Sequence, residues 1–181
     1  MTAINHPRPS LRRRVLDSFP SQSYALGTLL RLVDIVETED VPTAAVGGRV
    51  QPLMQINPKF VERYAASSER LLMLVMHELH HVLLGHTRLM PRITNVDNLV
   101  FDAVINAMLC RMFPESEHTS LFTDFYSDRK FPECLLRPPA GFSPENPFWA
   151  TPPALEGRGR VELADVYRSL YSGKGATYEE L

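Results

Sequence analysis

Between Leu71 and Leu84 the chain reads LLMLVMHELHHVLL, apolar on nearly every side of a helix yet carrying three histidines and a glutamate. A helix that is hydrophobic all round belongs in a core, and a buried imidazole without a partner is costly. The segment therefore predicts a central helix, capped by Ser67 or Ser68 and ended at Gly85. Within it, His77, Glu78 and His81 satisfy the pattern H-E-x-x-H. Residues four apart share a helix face, so His77 and His81 can hold one ion from adjacent turns. Glu78 then lies beside the open coordination position, where it can take a proton from metal-bound water. Zinc lowers the pKa of such a water to roughly 7, so Zn2+ is the expected cofactor. His80 is off that face and is expected near the site or at the surface.

A catalytic zinc needs a third protein ligand, and two residues qualify. His86 follows Gly85 directly, five residues past His81. On a continuous helix that spacing diverges by roughly 140°, so His86 reaches the ion only if the helix breaks at Gly85. Asp102 lies in a second expected helix, Val96 to Phe113, which is stopped by Pro114. There Asn98, Asp102 and Asn106 recur every four residues along an otherwise apolar helix. So narrow a polar line suits a carboxylate pointed inward at a metal, with Asn106 and Asn98 as outer partners of the ligands.

Elsewhere the pattern is mixed. Residues 21–38 carry Leu26, Leu29, Leu30, Val33 and Val36 at helical spacing. Residues 42–56 hold two short apolar runs around Gly47-Gly48, the signature of a β-hairpin, with Pro52 inside the second run. Proline cannot donate to a ladder, so residues 50–56, with Leu53, Met54 and Gln55, are expected at a sheet edge. Asn57-Pro58 can open a short helix through Tyr64. Seven prolines fall between Pro132 and Pro153, so residues 114–160 read as a long surface wrap. A last helix fits Val161 to Tyr171. The expected organisation is a basic arm over 1–20, one domain over 21–171 and a flexible tail over 172–181.

Composition narrows the class. Two cysteines in 181 residues exclude a disulfide scaffold. No run approaches eighteen consecutive apolar residues, which excludes a transmembrane helix, and the N-terminus lacks the apolar core of a secretory signal. The cytoplasm is the default compartment. A net charge of −2 argues against a nucleic-acid binder. Arg8, Arg12, Arg13 and Arg14 form a basic cluster, but no aromatic residues interleave them as a stacking surface requires, so they read as a solvated arm.

An H-E-x-x-H helix followed about twenty residues later by a helix with an acidic ligand resembles the gluzincin branch of the zincin metallopeptidases. That branch usually has glutamate as third ligand and often an aspartate four residues on; here Asp102 and Asn106 stand in those places. A closer resemblance is to the bacterial metallopeptidase domain often found N-terminal to a von Willebrand factor A-like domain and encoded near AAA-type ATPases. It rests on QINPKFV (55–61), HELHHVLLGH (77–86), FDAVIN (101–106) and LADVYRSL (163–170). The chain ends where the second domain would start, which suggests a stand-alone version or an excised piece.

The resemblance implies an α+β, zincin-like fold, in which a small mixed sheet with an edge hairpin packs on the H-E-x-x-H helix. It also implies a zinc-dependent peptidase acting on a peptide or protein, with the substrate strand laid along the edge strand. The competing reading is a catalytically silent metal-binding module that docks an AAA-type ATPase or a von Willebrand factor A-like protein. Donors for the oxyanion are sought in the wrap, at His118, Tyr126 or Arg129.

Overall fold

The computed structural model describes residues 9–19, 28, 30, 31, 33–48, 50–86, 94–146, 148–157 and 159–172. In chain order these form α1 (Leu11–Ser18), β1 (Asp34–Glu37), β2 (Ala44–Gly47), β3 (Leu53–Ile56), α2 (Pro58–Tyr64), α3 (Ser68–Leu83), α4 (Asn95–Met112), α5 (Ser116–Phe125) and α6 (Val161–Tyr171). Two single 3-10 turns, Glu133–Leu136 and Pro153–Leu155, punctuate the stretch before α6. The class is α+β, as expected. No helix among the described residues is long and apolar enough to cross a membrane.

Helix α3 is the hub. The Ser67 hydroxyl caps it by accepting from the Arg70 N–H, and Gly85, at φ 75°, ends it with its N–H on the Val82 carbonyl. A left-handed residue just past a helix end suits glycine, which has no Cβ to clash. Leu71 through Met76 are all buried, and α1, β2, α4 and α5 pack around the helix. Helix α4 opens with a reciprocal capping box between Thr94 and Asp97. The Asn57 side chain caps α2, with Pro58 in the first turn.

The sheet has the order β1–β3–β2, with β1 parallel and β2 antiparallel to β3. The hairpin expectation holds: β2 pairs with β3 through a turn at Gly48, φ 96°, where a Cβ would collide with the Gln51 carbonyl oxygen. Its edge assignment does not. Leu53, Met54 and Gln55 lie on the central strand, paired on both sides. Pro52 does not obstruct this, because it precedes β3, and its carbonyl accepts the Asp34 N–H. The outer edge beside α3 belongs to β2.

Three further expectations change. Thr28, Leu30 and Arg31 are helical, but Asp34–Glu37 is strand β1, so the helix over 21–38 is overturned at its C-terminal end. Residues 20–27, 29 and 32 lie outside the described set. The stretch read as an arm holds α1, whose Leu11 and Val15 sit in the core while Arg12 and Arg13 face solvent; Arg8 lies outside the described residues. The wrap contains α5, with Leu121 and Phe122 buried. No proline interrupts residues 115–131, which leaves a full helix free to form there. Of the expected tail, residues 173–181 lie outside the described set.

Candidate metal centre

Helix α3 presents His77, Glu78 and His81 to a cavity of about 320 Å³. Helix α4 brings Asn98 and Asp102 to the same cavity, and Thr43 to Val46 run along its rim. The far wall is apolar, built from Phe60 and Leu74 together with Leu121, Phe122 and Phe125 of α5.

His77 Nε2, His81 Nε2 and one carboxylate oxygen of Asp102 converge. The two imidazole nitrogens are 3.1 Å apart. Asp102 Oδ1 lies 3.1 Å from His81 Nε2 and 3.5 Å from His77 Nε2. Tetrahedral ligation with bonds of roughly 2.0–2.2 Å places ligand atoms about 3.3–3.6 Å apart, so this triangle is close to one face of such a tetrahedron. Among the described residues, these three make the cluster of metal-type side chains. The short Asp102 side chain reaches because α4 packs directly on α3.

The hydrogen bonds behind the triangle decide which nitrogen carries each proton. His77 Nδ1 lies 2.7 Å from Asn106 Oδ1. Asn106 is fully buried, and its Nδ2 donates to the Leu136 carbonyl at 2.9 Å. That donation fixes the amide orientation, so the oxygen faces His77 and can only accept. The proton of His77 therefore sits on Nδ1, and its Nε2 offers a lone pair to the cavity. A lone-pair nitrogen and a carboxylate oxygen this close repel unless a proton or a cation lies between them. Burial works against charging His77, yet the hydrogen bond and charge of Asp102 outweigh it, and the His77 pKa stands above its ordinary value. Burial likewise opposes the charge on Asp102, but the adjacent His77 and His81 imidazoles outweigh it and hold its carboxyl well below the usual range. The donor set, two imidazole nitrogens and one carboxylate beside an open cavity, fits a catalytic divalent metal such as zinc.

His86 is not part of the triangle. Its Nδ1 meets the other nitrogen of His81, Nδ1, at 3.0 Å. His80 is buried and donates from Nδ1 to the Met76 carbonyl at 2.6 Å, one turn back along α3. Asn98 lines the cavity wall, whereas Asn106 reaches an imidazole. Glu78 is buried beside the triangle; burial raises its pKa, against the pull of His77 and His81 and a hydrogen bond from the Val46 backbone.

Of the three oxyanion candidates, Tyr126 lines the cavity. Burial raises its pKa, and the nearby charges of Asp102 and Glu78 raise it further, so it stays a neutral O–H donor. His118 instead stacks on Phe113 and pairs with Glu115, and Arg129 is not in the cavity wall. The sequence reading missed the bond between His86 and His81 and the aromatic wall of α5. The spacing of Leu121, Phe122 and Phe125 was the available signal for that wall.

A family model described as "Putative metallopeptidase domain" matches residues 12–132. That span includes α1 from its second residue, the sheet, α2 to α5 and every cavity side chain named above. No curated protein and no solved structure matches the chain.

Proposed function

The chain belongs to the putative metallopeptidase domain family, and from that premise we propose that it is a zinc-dependent peptidase. His77, His81 and Asp102 hold the metal, and Glu78 acts as the general base. The observation that carries this reading is the convergence of three donor atoms within 3.1–3.5 Å of one another beside a buried glutamate that is not one of them. Zinc held there supplies Lewis acidity toward the scissile carbonyl and an acidified water.

The chain's own residues do the remaining work. Glu78, buried beside the triangle, takes a proton onto its carboxylate during attack and returns it to the departing amine nitrogen. Its raised pKa suits that exchange, because a base works best when its pKa approaches the operating pH. The Tyr126 hydroxyl donates toward the oxygen that gains negative charge. An extended peptide adds to the outer edge of β2 above the cavity, a docking mode that uses main-chain hydrogen bonds for affinity. The apolar wall of Phe60, Leu121, Phe122 and Phe125 accepts an apolar side chain next to the scissile bond.

Incubating zinc-loaded protein with an unfolded protein substrate, beside Glu78→Gln, tests the reading. Wild-type cleavage that vanishes in Glu78→Gln while zinc stays bound supports it. Cleavage that survives in the variant removes Glu78 from the mechanism, and a zinc-loaded wild type that cleaves nothing removes the peptidase reading.

A further inference from the structure

His86 has no role in the reaction just described, yet its setting is specific. The residue is 3% exposed. Its ring stacks on Phe101 with centroids 3.8 Å apart and planes 14° from parallel. Its Nδ1 lies 3.0 Å from His81 Nδ1, and the two rings are inclined at 70°. A ring edge directed at a nitrogen in this way is a hydrogen-bond arrangement, since the two Nδ1 atoms cannot both carry a proton or both lack one without repelling.

The backbone is shaped to deliver that contact. Continued helix would swing residue 86 about 140° away from residue 81. The left-handed turn at Gly85, φ 75°, ends the helix and returns His86 toward His81. Phe101, which holds the ring in place, immediately precedes Asp102 on α4. The same helix turn thus presents both a triangle residue and the plate on which His86 rests.

We infer that His86 is a positioning residue for His81, accepting the His81 Nδ1 proton at its own Nδ1 and so leaving His81 Nε2 free to bind the metal. Each ligand imidazole then has its own outer acceptor: Asn106 for His77 and His86 for His81. Both acceptors are uncharged amide or imidazole groups. Outer partners of this kind fix the tautomer and the ring orientation of a ligand, and their removal typically costs 10–100-fold in metal affinity. The inference rests on the metal-binding part of the proposed function and is independent of peptide hydrolysis.

The test is zinc affinity of the full chain, measured by competition with a chromophoric chelator, for wild type, His86→Phe and His86→Gln. Phenylalanine keeps the stack on Phe101 and loses the acceptor; glutamine keeps an acceptor oxygen. The expected result is about 10–100-fold weaker zinc binding in His86→Phe, largely restored in His86→Gln. Unchanged affinity in His86→Phe, or equal losses in both variants, overturns the inference. Long-range 1H–15N spectra of the zinc-loaded wild type give a second reading that needs no variant. His81 should carry its proton on Nδ1 and His86 should have a bare Nδ1; a proton on His86 Nδ1 overturns the assignment. Weakened zinc in His86→Phe together with an inactive wild type keeps this inference and removes the peptidase. Cleavage with no effect of His86→Phe on zinc does the reverse, and a wild type that binds no zinc removes both.

Discussion

His77 Nδ1 stands 2.7 Å from Asn106 Oδ1, and the Asn106 amide is itself locked by the Leu136 carbonyl at 2.9 Å. A single buried side chain thus ties the central helix to α4 and to the 3-10 turn at Glu133–Leu136, and aims one imidazole nitrogen at the cavity. Replacing Asn106 with leucine removes both bonds and leaves the Leu136 carbonyl without its donor. We expect about 1–3 kcal/mol of lost stability by chemical denaturation of the metal-free protein. Zinc affinity should fall about 10–100-fold in parallel. Wild-type zinc affinity in Asn106→Leu would detach this residue from the site.

Glu78→Gln should leave the metal-free protein at least as stable as wild type. The sign follows from the raised pKa of Glu78, which arises chiefly from burial. A folded-state pKa above the unfolded value means the native state holds the proton more tightly. Ionising the group near neutral pH then costs stability, and a neutral amide removes that cost. Thermal unfolding at pH 7 checks this; a clear drop in Tm would mean that the carboxylate is held by stabilising contacts stronger than its burial penalty.

Tyr126→Phe deletes one hydroxyl from the cavity wall. If that hydroxyl donates to the developing oxyanion, kcat should fall about 10²–10³-fold with KM little changed, the scale seen on losing one such donor. Arg129→Ala serves as the contrast and should leave kcat near wild type, since Arg129 is not in the cavity wall. Equal kcat in Tyr126→Phe and wild type would exclude the phenol from the reaction.

Cys110 and Cys134 are free and buried, and burial raises both thiol pKa values. Thiolate is the reactive form, so neither should react with a thiol reagent in the folded protein at pH 8, and both should react at once in denaturant. Rapid labelling of the native chain would show that the packing around α4 and the Glu133–Leu136 turn opens readily.

The parts of this molecule set by local spacing were legible in its sequence. The apolar run of α3, the H-E-x-x-H pair and the Asn98–Asp102–Asn106 line each follow from the 3.6-residue period alone. Parts set by non-local pairing were not. Val36 continues the helical spacing of the preceding segment, and only the pairing of its strand with β3, where it lies opposite Gln55, makes it strand. That same parallel partner turns β3 from an edge strand into the central one. His86 was hidden for a different reason: Gly85 signals a helix end, but the left-handed turn that sends the next side chain back to His81 has no periodic signature. Helix α5 was masked by the prolines that follow it, although Leu121, Phe122 and Phe125 already outlined its buried face.

The central claim is that His77, His81 and Asp102 hold one metal ion. Its most direct test is elemental analysis of purified protein after zinc reconstitution and removal of loose metal, beside His77→Ala and Asp102→Ala. The account predicts about one zinc per wild-type chain and almost none in either variant, with folding of all three verified by circular dichroism. A folded wild type without stoichiometric zinc, or an Asp102→Ala chain that retains a full equivalent, would contradict it.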